Sequence, residues 1–181
     1  MTKKELVQET EVHAKDMSIW TTEIMSELNV YQAAIEDGNF KNDQEILDYL
    51  ETSCDKNEAY PIGLYLGDDS GVYLDGAGWV PGDDWVLTER DWYKEGLTHD
   101  TMQFGEPYYD SQSGDVCVSA SVKLDYASAN RVLAVDVYLN YLSDLATQIT
   151  EQGCDAAFFV TKDSRKILGH PDKDMIDHAL T

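Results

Sequence analysis

The sequence predicts an α+β fold: a long N-terminal helix, a short second helix, then an antiparallel sheet flanked by helices. Three observations predict it. Apolar residues recur at steps of three and four through the first 36 residues. From Tyr60 onward, short apolar or alternating segments are separated by turn-forming clusters of Gly, Asp, Ser and Asn. An apolar–turn–apolar pattern also occurs twice, late in each half of the chain.

In the predicted helix over residues 3–36, Met17, Trp20, Ile24, Leu28, Tyr31 and Ile35 form one apolar stripe, the signature of a helix with one buried side. Asp37-Gly38 ends it, with glycine supplying the left-handed cap. Its outer surface offers a route to a homodimer. A second helix is expected over 43–55, with Asn42 as N-cap, Glu45 three residues on, and Ile46, Leu47, Leu50 and Cys54 on its buried side.

Pro61–Leu66 and Val72–Leu74 read as a hairpin around the turn Gly67–Gly71. Gly76–Asp84 is a loop, Asp91–Gly96 a short helix, and His99–Gly105 a loop. Val116–Leu124 and Val132–Leu139 are strands joined by a turn near Ser128-Ala129-Asn130. These four strands are expected to form the sheet, with the helices on one side. Ser143 is placed as the cap of a helix through Gln152, closed by Gly153. A second hairpin follows, from Ala156–Val160 through the turn Lys162–Arg165 to Lys166–Leu168. Residues 64–74 and 158–168 match in apolar positions and in Asp-Ser at the turn. A duplicated module is implied: helices over 1–57, a first β-rich module over 58–153, and the start of a shortened second module over 154–181.

The net charge is −22, from 35 acidic and 13 basic residues. Such a chain is repelled by nucleic acid and by anionic membrane surfaces. No apolar run is long enough to span a bilayer. Met1-Thr2-Lys3-Lys4 opens into a polar helix, not a signal peptide, so the chain reads as soluble. Cys54, Cys117 and Cys154 lack metal-ligand spacing. A Cys54–Cys154 bridge is one option, and Cys117 reads as a small core residue. The four histidines form no His-x-x-x-His pair, and no nucleophile elbow or phosphate loop occurs. Asp68-Asp69-Ser70-Gly71 lacks the alternating ligands of a calcium loop. No catalytic, metal or cofactor site is therefore expected. An acid-pair hydrolase and a Cys117–His99 nucleophile are weaker alternatives.

The chemistry concentrates between Trp85 and Asp110. Trp85, Trp92 and Tyr93 crowd around Arg90, and Tyr108 and Tyr109 adjoin Asp110. A guanidinium fork suits a carboxylate. An aspartate framed by tyrosines suits an ammonium. Asp136 lies inside the apolar strand Val132–Leu139, where a carboxylate needs a partner. Bland readings stand beside these: a surface ion pair for Arg90, core packing for Trp92 and Tyr93, a turn for Asp110, and a protein donor for Asp136. Tyr65, Tyr73 and the loop Ala77–Asp84 are candidate neighbours of a side-chain pocket.

Arg90-x-Trp92-Tyr93, Pro107-Tyr108-x-Asp110 and the later Asp136 resemble the double Cache family of extracytoplasmic sensor domains, and its amino-acid-binding branch in particular. The resemblance runs from the first helix to about Leu168. It implies PAS-like modules and an excised piece of a membrane receptor, with spanning helices and a cytoplasmic output domain (chemoreceptor, histidine kinase or cyclic-dinucleotide enzyme) outside this chain. The long helix would be the stalk, and the location the extracellular or periplasmic face of the membrane. The resemblance also implies that Arg90 and Trp92, with Trp85, take an α-carboxylate, while Tyr93, Tyr108, Asp110 and Asp136 take the ammonium. Trp85 stands where the family commonly has tyrosine. The rival readings are an amine or organic-acid receptor on the same fold, and an acidic module that binds protein or calcium.

Overall fold

The computed structural model describes the chain apart from residues 1–2, 39, 111–112, 127–128, 152–155, 163 and 181, and apart from the side chains of Lys3 and Leu6. The apolar stripe makes Lys3–Glu36 one helix, α1. Ile24, Leu28 and Ile35 are buried, and Met17, Trp20 and Tyr31 pack beside them. Gly38, at φ +75°, ends it by donating its N–H to the Ile35 carbonyl. In α2, Asp43–Glu51, the Asn42 side chain accepts from the Glu45 N–H at 3.0 Å. Glu45 in turn accepts from the Lys41 N–H at 2.9 Å. This is a capping box displaced by one residue. The helix ends short of residue 55, and Ser53 turns to bond the Leu50 carbonyl and the Leu64 N–H.

The sheet has five strands, not four, all antiparallel. They are β1 (Leu64–Gly67), β2 (Tyr73–Asp75), β3 (Gln103–Tyr109), β4 (Val116–Lys123) and β5 (Val132–Tyr138), in the order β2-β1-β5-β4-β3. The missed strand is β3. It holds Gly105 and Pro107, which argue against a strand in sequence. Proline is tolerated there because β3 is an edge, and its register shifts between Phe104 and Pro107.

Strand side chains alternate between faces. Leu133, Val135 and Val137 of β5 join the core formed with α1 and α2. Val132 and Ala134 point the other way and pack with Leu87, Trp92 and Tyr93. The expectation of helices on one side is thus corrected, because α3 (Asp91–Gly96) covers the second face. It comes close because position 96 is glycine: a Cβ there would lie 2.4 Å from Val132 Cγ1.

Helix α4 runs Asn140–Glu151. It starts before Ser143, which is buried inside it and does not cap it. The expected Gly153 cap, the Cys154 half of the suggested bridge and the turn residue Ser128 lie outside the described residues. Cys54 is a free thiol that donates to the Ile62 carbonyl. Cys117 is a fully buried core residue. The second hairpin forms, as β6 (Phe159–Val160) and β7 (Ile167–Gly169). Its expected turn residue Asp163 lies outside the described residues.

One buried ion network ties these parts together. Arg131, 7% exposed, donates through Nε to Asp68 at 3.2 Å and through Nη1 to Asp43 at 2.8 Å. Asp68 is 1% exposed and also accepts from the Ser70 hydroxyl and from the N–H groups of Ser70 and Val72. The first residue of α2, the β1–β2 turn and the entry to β5 are thereby joined. Removing one partner of such a group strands the others, at a cost of about 3–5 kcal/mol. Arg131→Ala should lose stability of that order in urea titration, far more than a surface arginine would.

Candidate ligand-binding site

The second face of the sheet carries a cleft lined by Tyr65, Tyr73, Trp79, Trp85, Arg90, Trp92, Tyr108, Asp110 and Asp136. Six of the seven residues singled out in sequence meet here. The exception is Tyr93. Its ring is buried under α3, and its hydroxyl donates to the Asn130 carbonyl at 2.8 Å. Its expected place beside an ammonium is therefore corrected: Tyr93 holds α3 to the scaffold.

Asp136 anchors the cleft from the central strand, 5% exposed. Tyr65 donates to its Oδ1 at 2.7 Å, and Tyr108 donates to the same oxygen. Among the described residues nothing donates to Oδ2. Burial pushes the Asp136 carboxyl up. The two hydroxyls pull it down, and the nearby Asp110 and Asp75 push it up again, leaving it at about 6. Burial and the Asp136 charge in turn drive the Tyr65 and Tyr108 phenols far above their ordinary value, so both remain donors.

Asp110 is both a turn residue and a wall of the cleft. Its Oδ2 accepts from the Ser113 N–H and hydroxyl, each at 2.7 Å, and from Tyr138 at 3.0 Å. Tyr138 was not foreseen. It sits two residues beyond Asp136, so strand alternation alone places it on the same face. Asp75 was also missed. It is 6% exposed and accepts from the Tyr73 hydroxyl at 2.9 Å.

Arg90 is the residue before α3, and its carbonyl accepts from the N–H groups of Tyr93 and Lys94. Its guanidinium lies over the Trp85 ring, 5.8 Å from the centroid, the arrangement of a cation–π pair. Trp92 meets Tyr65 edge-on at 4.9 Å. An arginine and two buried aspartates thus line one cleft with aromatic walls. Of the roomier hollows among the described residues, one of about 330 Å³ adjoins the cleft at Tyr73 and Trp85, one of about 180 Å³ adjoins it at Arg90, Trp92 and Tyr108, and two lie away from it. One of about 730 Å³ sets Lys56 beside Glu58, Asp115 and Asp144. The other, about 510 Å³ between α1 and the second hairpin, is mainly apolar. Neither of these two combines an arginine with buried aspartates.

Comparison with known proteins identifies the type of domain. The family model described as methyl-accepting chemotaxis protein-like, first PDC sensor domain, matches residues 33–144. The chain belongs to that family. This PDC sensor domain is 30% identical over 121 residues to the methyl-accepting chemotaxis protein McpG of Pseudomonas putida, covering 66% of the chain and 19% of McpG. It is 33% identical over 109 residues to TlpB of Bacillus subtilis, covering 60% of the chain and 15% of TlpB. The chain therefore spans less than a fifth of the length of the curated relatives it matches. The same fold occurs in the ligand-binding domain of Pseudomonas fluorescens chemoreceptor CtaA, solved with L-alanine (TM-score 0.77, 24% identity, 98% of this chain and 75% of that one). It occurs also in that of Pseudomonas aeruginosa PctC, solved with GABA (TM-score 0.81, 22% identity, 99% and 80%). No helix among the described residues is long and apolar enough to cross a membrane.

The raised Asp136 carboxyl has a testable sign. An unfolded aspartate titrates near ~3.9, while the folded one titrates at about 6. Its contribution to stability is then fully present below the unfolded value and is lost as pH rises through the folded one. Without ligand, wild type should gain stability relative to Asp136→Asn as pH falls from 7 to 4, by something on the order of 2 kcal/mol. Urea titrations across that range check it.

Proposed function

We propose that this domain is the extracytoplasmic ligand-binding part of a transmembrane chemoreceptor and that its cleft takes an α-amino acid. The observation that carries this reading is that Arg90 lines the same cleft as the buried Asp136, whose Oδ2 accepts from none of the described residues. Arg90 takes the carboxylate, with Trp92 and Trp85 beside it. Asp136 and Asp110 take the ammonium, with the hydroxyl oxygens of Tyr65 and Tyr108 in reach as further acceptors. Solved relatives give the reading support: CtaA with L-alanine or L-serine, and Mlp24 with asparagine.

Residues 58–153 form the sensing module in this reading, and residues 154–181 begin a second one. The outer face of α1 exposes Val12, Ile19 and Val30, a narrow apolar line along which two copies pair. Spanning and output segments belong to the rest of the receptor. Occupancy of the cleft biases the domain between two arrangements, which requires the ligand to bind one of them better.

The test is thermal shift and calorimetry against L-amino acids, amines and organic acids. A ligand at about 100 times its dissociation constant should add ~2.7 kcal/mol of stability. For a domain of this size that raises Tm by several degrees, at about 2–4 °C per kcal/mol. Arg90→Ala should abolish the rise for amino acids. Amines that stabilise both wild type and Arg90→Ala would instead identify an amine receptor. Proton and ammonium compete for Asp136, so amino-acid affinity should fall as pH drops below about 6. Calorimetry at pH 5 and 7.5 reads this directly, and a pH-independent affinity would remove Asp136 from the site.

A further inference from the structure

We propose that Trp79, with Trp85 behind it, limits the size of the ligand's side chain, so that the cleft accepts glycine, alanine or serine and rejects larger amino acids. This rests on reading the cleft as an amino-acid site. It adds a residue, Trp79, that the sequence marked only as part of a loop.

The room itself is the first reason. The cleft leaves about 30 Å³ open, what two waters need at ~10–15 Å³ each, so even glycine must part its walls and every added side-chain atom must part them further. The charged poles occupy both ends, so a ligand held by Arg90 and Asp136 turns its side chain toward whatever lies between them and the loop. Three rings fill that place. Tyr73, Trp79 and Trp85 stand at centroid separations of 6.0, 5.0 and 5.7 Å for the pairs Tyr73–Trp79, Tyr73–Trp85 and Trp79–Trp85. Their planes cross at 83°, 58° and 77° in the same order. Trp79 meets both other rings edge against face and Tyr73 tilts against Trp85, so an isobutyl or benzyl group enters only by parting them.

The wall is also held in place. Asp75 Oδ1 accepts the N–H of Ala77 at 2.9 Å and of Trp79 at 3.3 Å, while Oδ2 accepts from Tyr73. One buried carboxylate therefore holds the Tyr73 ring by its hydroxyl and the backbone that carries Trp79. The root of the loop is equally confined, because a Cβ on Gly76 would lie 2.7 Å from the Leu50 carbonyl oxygen. With the backbone beneath it held by Asp75 and α2, Trp79 can make room for a large side chain only by turning its ring off Tyr73 and Trp85.

Calorimetry of this chain with glycine, L-alanine, L-serine, L-valine, L-leucine and L-phenylalanine tests the limit. Alanine should bind at least tenfold more tightly than leucine and phenylalanine, within the range a hydrophobic pocket achieves by size. Trp79→Ala should raise leucine affinity about tenfold or more relative to alanine, and Trp79→Phe should fall between. Should Trp79→Ala lose its fold by circular dichroism, the leucine-to-alanine ratio in Trp79→Phe decides alone. Wild type binding leucine as tightly as alanine, or a ratio unmoved by either substitution, overturns the size limit. If amino acids of every size bind and Arg90→Ala abolishes them all, the amino-acid reading stands and only the limit falls. If none binds wild type, both fall together.

Discussion

The cleft depends on keeping Asp136 buried in the middle of the sheet. Strand β5 lies between β1 and β4, so this carboxylate is as far from the sheet's edges as the fold allows. A charge there is costly unless donors reach it. One arrives from the adjacent strand, as Tyr65 of β1. The other comes from β3, beyond β4, as Tyr108. Tyr108 can reach because the β4 residues on this face are small: Cys117 pairs with Tyr108, and Ser119 pairs with Asp136. Larger residues at those positions would block the ring. Two strands therefore supply donors to one oxygen of a side chain on a third, and on the proposed reading the other oxygen takes the ligand's ammonium.

The opposite pole needs a different solution, because Arg90 belongs to no strand. It is delivered by the segment that crosses onto the second face of the sheet, and α3 fixes that crossing. Trp92 and Tyr93 divide the work. On a helix neighbouring residues diverge by about 100°, so Trp92 faces the cleft while Tyr93 turns under α3 to bond Asn130. Asn130 in turn donates to Asp69 and directly precedes Arg131, the centre of the buried ion network. Arg90 thus stands on the same scaffold that closes the β1–β2 turn. Arg90 and Asp136, which line one cleft, are held by separate parts of the fold, each independently braced.

Most of the helical framework was legible because its periods are clean. The stripe through Ile24, Leu28 and Ile35 and the Asn42 cap both behave as the residues imply. Asp136 was legible for the opposite reason, as a single charge inside an apolar strand. Strand β3 was not, since Gly105 and Pro107 hide it and only its place at an edge makes it tolerable. Tyr93 was misplaced because its role came from the resemblance alone; on α3 its ring is buried away from the cleft and its hydroxyl meets Asn130. Tyr138 was within reach of strand alternation from Asp136, whereas Ser119 required strand register, which no single strand reveals. Trp79 required the fold of a loop whose conformation is imposed by Asp75, a contact between neighbours that carries no periodic signal.

The same register sets the route by which occupancy of the cleft can reach α1. Asp110 on the cleft wall accepts from Tyr138, the last residue of β5. Two residues later α4 begins, and Tyr141 in its first turn stacks on Trp20 of α1 at 5.0 Å with planes 24° apart. Backbone joins β5 to α4, and a ring stack joins α4 to the long helix. On the proposed reading, a ligand ammonium drawn against Asp110 and Asp136 pulls on the end of β5, from both its buried carboxylate and its last tyrosine. A shift there has little freedom to dissipate, because β5 is paired with β4 along its whole length and with β1 over Val132–Val135. It is passed on as a change in how α4 sits on α1. This coupling demands only that the two arrangements of Tyr141 on Trp20 differ in free energy by less than the ligand's preference between them.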